Sequence, residues 1–141
     1  MKSLWPEEFK EKDVKPVKEI LEEQAQLLPK LTGDMVMAKV RPLRLSEKTL
    51  TIHHSRDFAY CFQLMGKFLK NYSFKVLNFS HEIIMYPTTI ELDPPLSEEL
   101  EIKNEIKVQN EEEMIGLLSK IFNSERLRDI VGSIIKISSE K

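Results

Sequence analysis

From Pro16 onward, apolar residues return at helical intervals: Val17, Ile20, Leu21, Leu27, Leu28 and Leu31, with Lys18, Glu19, Glu22, Glu23 and Gln26 between them. That spacing gathers the apolar side chains into one stripe of an α-helix. Proline suits a first helical turn, where its missing N–H is not needed, so the pattern predicts a helix opening at Pro16. Pro29 would clash with the carbonyl four residues back, which predicts a stop or kink near Leu28. Gly33 marks the exit.

The period then shortens to two. Residues 35–45 (MVMAKVRPLRL) alternate as a strand, and Pro42 pushes that strand toward a sheet edge or a bulge. Ser46, Glu47 and Lys48 read as a turn, and residues 49–54, rich in β-branched side chains, as the returning strand of a hairpin. Residues 58–69 (FAYCFQLMGKFL) fit either period. As a helix they would align Phe58, Cys61, Phe62, Met65 and Leu69; as a strand, Phe58, Tyr60, Phe62 and Leu64. Aromatic density, the lack of acidic residues and the interior glycine favour a strand ending near Gly66. Two further runs, 72–79 and 83–92, are separated by Ser80, His81 and Glu82, which predicts a second hairpin. Asp93, Pro94 and Pro95 end this sheet region, because two prolines cannot continue a ladder.

Residues 96–105 are charged and fit a short helical turn or a loop, and Ile106, Lys107 and Val108 fit a brief strand. Asn110 followed by three glutamates is a capping sequence, with Asn110 as N-cap and Glu113 at the third helical position. The helix it opens buries Met114, Leu117, Leu118 and Ile121. Ser124 caps a last helix with Leu127, Ile130, Val131, Ile134 and Ile135 on one face. These elements predict one α+β domain over residues 1–141. A curved, meander-like antiparallel sheet of about four to six strands packs against an N-terminal helix and two C-terminal helices. The strand connections are too short for parallel crossovers. An extended arm, residues 1–14, precedes the first helix. It carries Leu4, Trp5 and Phe9, and large aromatics seldom stay solvated. Trp5 or Phe9 is therefore expected to lie on the domain or on a partner.

Composition narrows the function without naming it. Twenty-one Lys and Arg face 23 Asp and Glu, for a formal net charge of −2. The cations are spread among glutamates, which argues against nucleic acid as partner. The nearest approach to a basic patch is Arg41, Arg44, Lys48 and Arg56 around the first hairpin. Cys61 is the single cysteine, so neither an internal disulfide nor a CxxC zinc site can form. No run approaches the roughly 18 consecutive apolar residues of a membrane span. The opening residues lack the apolar stretch of a signal peptide, and the cytoplasm is the expected compartment.

Candidate chemistry is thin. His53 and His54 are adjacent, so in a strand they point to opposite faces and cannot easily share one metal ion. A polar site would need His81 and a carboxylate such as Asp57 brought in by folding. Cys61 sits between Tyr60 and Phe62 with no neighbouring charge to stabilise a thiolate, and reads as a small core hydrophobe. Ser133 with Lys136 and Ser138 with Lys141 match SxxK, but the companion motifs of that chemistry are missing. The four glycines are too scattered to cradle a phosphate. No cofactor or metal is predicted.

Three classes of function follow. The first is a non-enzymatic binding or protein-interaction module, with Trp5, Phe9, Ile130 and Ile134 as candidate interaction surface and a protein partner or a second copy as ligand. The second is a small-molecule-binding domain with an apolar pocket between sheet and helices. The third is an enzyme built on His53, His54, Asp57 and His81.

Overall fold

The computed structural model describes residues 1–47 and 58–140. Its elements are α1 (Val17–Leu31), β1 (Val36–Pro42), a 3-10 turn (Leu45–Glu47), β2 (Phe58–Gly66), β3 (Leu69–His81) and β4 (Thr88–Leu92), followed by α2 (Pro94–Leu100), β5 (Glu105–Val108), α3 (Glu111–Phe122) and α4 (Glu125–Ser139). The strands form one open antiparallel sheet in the order β1-β2-β3-β4-β5. The α+β class and the meander are those predicted.

The register explains how the sheet divides its two faces. Val40, Phe62, Leu77 and Leu92 lie opposite one another across four strands, as do Tyr60, Phe79, Ile90 and Ile106. Cross-strand partners share a face, and these side chains join one core with Val17, Ile20 and Leu21 of α1, Met114, Leu118 and Ile121 of α3, and Leu127 and Ile134 of α4. The intervening residues, such as Arg41, Cys61, Asn78 and Glu91, align on the other face. Leu43, Ala59 and Cys61 make a second, small buried cluster there. Register shifts at Phe62/Gln63 and Met65/Gly66 mark β2 as irregular, and such bulges increase local twist.

Several local expectations are met. Residues 58–66 are a strand, ending at Gly66 as predicted. Asn110 Oδ1 accepts the Glu113 N–H at 2.9 Å while Glu113 Oε1 accepts the Gln109 N–H at 2.7 Å, a reciprocal cap on α3. Ser124 Oγ accepts the Leu127 N–H at 3.1 Å and so caps α4.

Others are corrected. Pro29 does not end α1, which runs on to Leu31. The proline lies in the last turn, so its ring costs the helix a single interior hydrogen bond. The Thr32 and Asp34 N–H groups both donate to the Pro29 carbonyl, and Thr32 Oγ1 donates to the Leu28 carbonyl, closing the end. The strand from residue 36 pairs with β2; the returning strand expected over 49–54 lies outside the described residues. Glu47 ties the 3-10 turn back to Arg41. The second hairpin is displaced along the chain: β3 continues through Ser80 to His81, and β4 starts only at Thr88. Pro87 cannot donate to a ladder, and the Tyr86 hydroxyl leaves the sheet to donate to the Lys15 carbonyl at 2.8 Å. The sheet also outlasts the two prolines. Pro94 and Pro95 open α2, where a proline is tolerated, and β5 then rejoins β4.

The aromatic residues of the arm are not buried on the domain. Trp5 is 76% exposed and Phe9 72% exposed, and their rings meet edge to face at 5.9 Å between centroids. Among the described residues no helix is long and apolar enough to cross a membrane.

Candidate functional site

The polar constellation of the sequence is only partly visible. His53, His54 and Asp57 lie outside the described residues. His81 ends β3, where its ring stacks on Phe58 at 5.5 Å and its Nδ1 lies 2.7 Å from the Glu82 carbonyl oxygen. Among the described residues no three His, Cys, Asp or Glu side chains gather as metal ligands would.

The strongest polar cluster was not foreseen as a unit. Glu47 accepts from both terminal guanidinium nitrogens of Arg41, at 2.8 and 2.7 Å, and from the Lys75 ammonium at 2.6 Å. Its Oε1 also accepts the Arg44 N–H, and Arg41 Nε donates to Gln63 Oε1 at 2.9 Å. The Arg41 guanidinium, then the Lys75 ammonium, holds the Glu47 carboxyl well below the usual carboxylate range. Arg41, part of the expected basic patch, thus has its charge taken up within the fold. The acceptor positions of the Glu47 carboxylate are taken by Arg41, Arg44 and Lys75, so this is a clasp between β1, β3 and the 3-10 turn rather than an open site. Cys61 lies beside it on the same face. Burial pushes its thiol up, disfavouring a nucleophilic thiolate, as the apolar flanks of the residue suggested.

The candidate interaction residues divide. Trp5 and Phe9 are solvent-facing, whereas Ile130 is half-buried and Ile134 is only 2% exposed, inside the core against Gly66. Ile134 therefore offers no surface in this conformation. What α4 does offer is a wall. An open groove of about 430 Å³ runs between α1 and α4, with Leu27, Leu28 and Leu31 on one side and Val131 and Ile135 on the other. Phe62 and Leu64 of the sheet form its floor with Phe122 of α3, and the Phe62 and Phe122 rings stand 6.1 Å apart. Gln24, Thr32 and Arg128 are the polar groups lining it.

Leu27 and Leu31 share the apolar stripe with Ile20 and Leu21 but are not buried with them. They are 46% and 80% exposed. Ile20 and Leu31 are eleven residues apart and so fall on nearly the same helical azimuth, and periodicity treats them alike. Packing separates them, because Ile20 lies beside Leu118 of α3 while the last turn of α1 extends along the groove. A leucine-rich final turn beyond the last buried position, Leu21, is the only signal the sequence carries. Compared with protein-family models, with curated proteins and with solved structures, the chain matches none.

Proposed function

We propose that this chain is a non-enzymatic binding module of the cell interior, and that its working surface is the groove between α1 and α4. The observation that carries this reading is the pair of exposed leucines, Leu27 and Leu31, standing over a floor of buried aromatic and aliphatic side chains. Solvated leucines at the rim of an apolar groove are stabilised when an apolar side chain covers them. The ligand class that fits is a protein segment presenting aromatic or aliphatic anchors, in the manner of helix-in-groove and peptide-in-groove recognition. The buried free thiol of Cys61 suits a reducing compartment.

A small apolar molecule is the second reading, favoured by one observation. The groove volume of about 430 Å³ lies within the range of small-molecule pockets. Both readings share a first test. Anilinonaphthalene sulfonate, added to the dilute chain, should gain fluorescence in the groove. Leu27→Glu/Leu31→Glu should abolish most of that gain, since both positions are exposed and the substitution leaves the core intact. Unchanged dye binding in a folded double variant would remove the groove as the working surface.

A further inference from the structure

We propose that the tip of the β2–β3 hairpin docks on an anionic phospholipid surface, with Phe68 and Tyr72 settling among the headgroups and Lys67 and Lys70 meeting the phosphates. This surface is separate from the groove, which none of these four residues lines.

An irregularity of the sheet builds the tip. Gly66 pairs with Leu69 across the two-residue turn of Lys67 and Phe68, whereas Met65 pairs with Ser73, so Lys70, Asn71 and Tyr72 bulge out of the ladder. Asn71 takes a left-handed conformation there, with φ 66°, and a bulge re-aims the side chains beside it. Lys67, Phe68, Lys70 and Tyr72 are all exposed, the two aromatics by 46% and 40%. The Lys67 ammonium lies 5.5 Å from the centre of the Phe68 ring, so cation and aromatic are presented together. Exposed aromatics interleaved with ammonium groups match the boundary between acyl chains and anionic headgroups.

Neighbouring elements extend the surface. The Lys67 N–H donates to the Met35 carbonyl at 3.0 Å, which sets the turn against the exit of α1 and its last-turn Lys30. Ile134 of α4 rests on Gly66, and one turn further on Ile137 is 49% exposed. Lys136 stands at this end too, 3.9 Å from Glu140. Lys30, Lys67, Lys70 and Lys136 outnumber Asp34 and Glu140 here.

Charge is also divided across the sheet. β1, β2, β3 and the turn at the tip carry Lys39, Arg41, Lys67, Lys70 and Lys75 and no carboxylate. Residues 82–113, which form β4, α2, β5 and the start of α3, hold ten carboxylates and two lysines. A chain of net charge −2 thus has a field that turns the tip toward an anionic surface and its β4–β5 side away. The aliphatic Ile137 beside the aromatics favours lipid over nucleic acid. It gains nothing from stacking on bases, but is stabilised on leaving water for acyl chains.

Co-sedimentation of the full chain with vesicles of equal parts phosphatidylserine and phosphatidylcholine tests this. The wild type should bind them at low salt, be released as salt rises, and ignore vesicles of phosphatidylcholine alone. Lys67→Gln/Lys70→Gln should weaken binding about thirtyfold, from about fivefold for each lysine near such a surface. Phe68→Ser/Tyr72→Ser leaves the charge unchanged and should weaken binding about tenfold or more. Lys12→Gln/Lys107→Gln makes the same charge change at the opposite end of the molecule and should have little effect. Dye binding in the groove should be unaltered in all three variants. A chain that binds neither vesicle, or both equally, overturns the proposal. Equal losses in the lysine pair at the tip and in the control pair overturn it as well, because net charge then suffices. Loss confined to Trp5→Ser/Phe9→Ser places the contact on the arm, and capture of a single-stranded oligonucleotide without capture of vesicles makes the partner a nucleic acid; each of these also overturns it.

Discussion

Ile134 of α4 rests directly on Gly66, the last residue of β2: a Cβ built on that glycine would stand 2.9 Å from Ile134 Cγ2 and 3.1 Å from Leu69 Cβ. Leu69 Cβ is fixed by its backbone and Ile134 Cγ2 is a methyl held directly on a branched β-carbon, so neither swings aside as the end of a long side chain can. The glycine is thus required by close approach of helix and sheet. Gly66→Ala should destabilise the fold by about 1–3 kcal/mol through overpacking, read as a lower urea midpoint at unchanged slope. Ile134→Leu removes the offending Cγ2 branch. The double variant should recover part of the loss, and strict additivity of the two changes would contradict the contact.

Glu47 gives the fold an acid-sensitive component. Its folded pKa is depressed, so the unfolded chain takes up this proton first. The stabilisation is complete above the ordinary glutamate value of about 4.3 and is lost as pH falls from there toward the folded value. Glu47→Gln should cost about 1–3 kcal/mol at neutral pH, less than a fully interior pair because Lys75 is half exposed to water. The same variant should flatten the decline in stability below about pH 4. An acid limb identical to that of the wild type would show that the clasp does not operate in solution.

Cys61 should report on opening of the second face of the sheet. Its thiol is buried and held protonated. Labelling with a disulfide reagent should be slow in the native chain and give one thiol per chain at once in denaturant. Arg41→Ala or Glu47→Gln, which loosen the adjacent clasp, should accelerate native labelling. Rapid labelling of the wild type would refute the closure of this face.

Ser124 joins two helices with one hydroxyl. It donates to the Ile121 carbonyl at 2.7 Å and accepts the Leu127 N–H at 3.1 Å, and the side chain is buried. Ser124→Ala strands the Leu127 N–H, while the Ile121 carbonyl keeps the Ser124 backbone N–H at 3.2 Å, and should cost about 1–2 kcal/mol. Asn110→Ala removes an exposed cap and should cost about 1 kcal/mol at most. Chemical denaturation of the pair would reverse this order only if α4 were capped chiefly by Glu99, whose carboxylate accepts the Glu125 and Arg126 N–H groups at 2.8 and 2.9 Å.

The sequence by itself determined those features that depend on neighbours along the chain. The stripe on α1, the Asn110 and Ser124 caps, the strand ending at Gly66 and the burial of Cys61 are set by side-chain size, period and short-range hydrogen bonds. Pairing and exposure were decided only in three dimensions. Residues 36–42 contain nothing that selects β2 as partner, and Pro29 looks like a terminator until Thr32 is seen closing the helix beyond it. The candidate site lay furthest from view. Leu31 repeats the azimuth of Ile20, and only the placement of α3 and α4 decides that one is buried and the other stands at the rim of an open groove. Burial is a property of what comes to rest on a residue, and periodicity records only the face on which that residue waits.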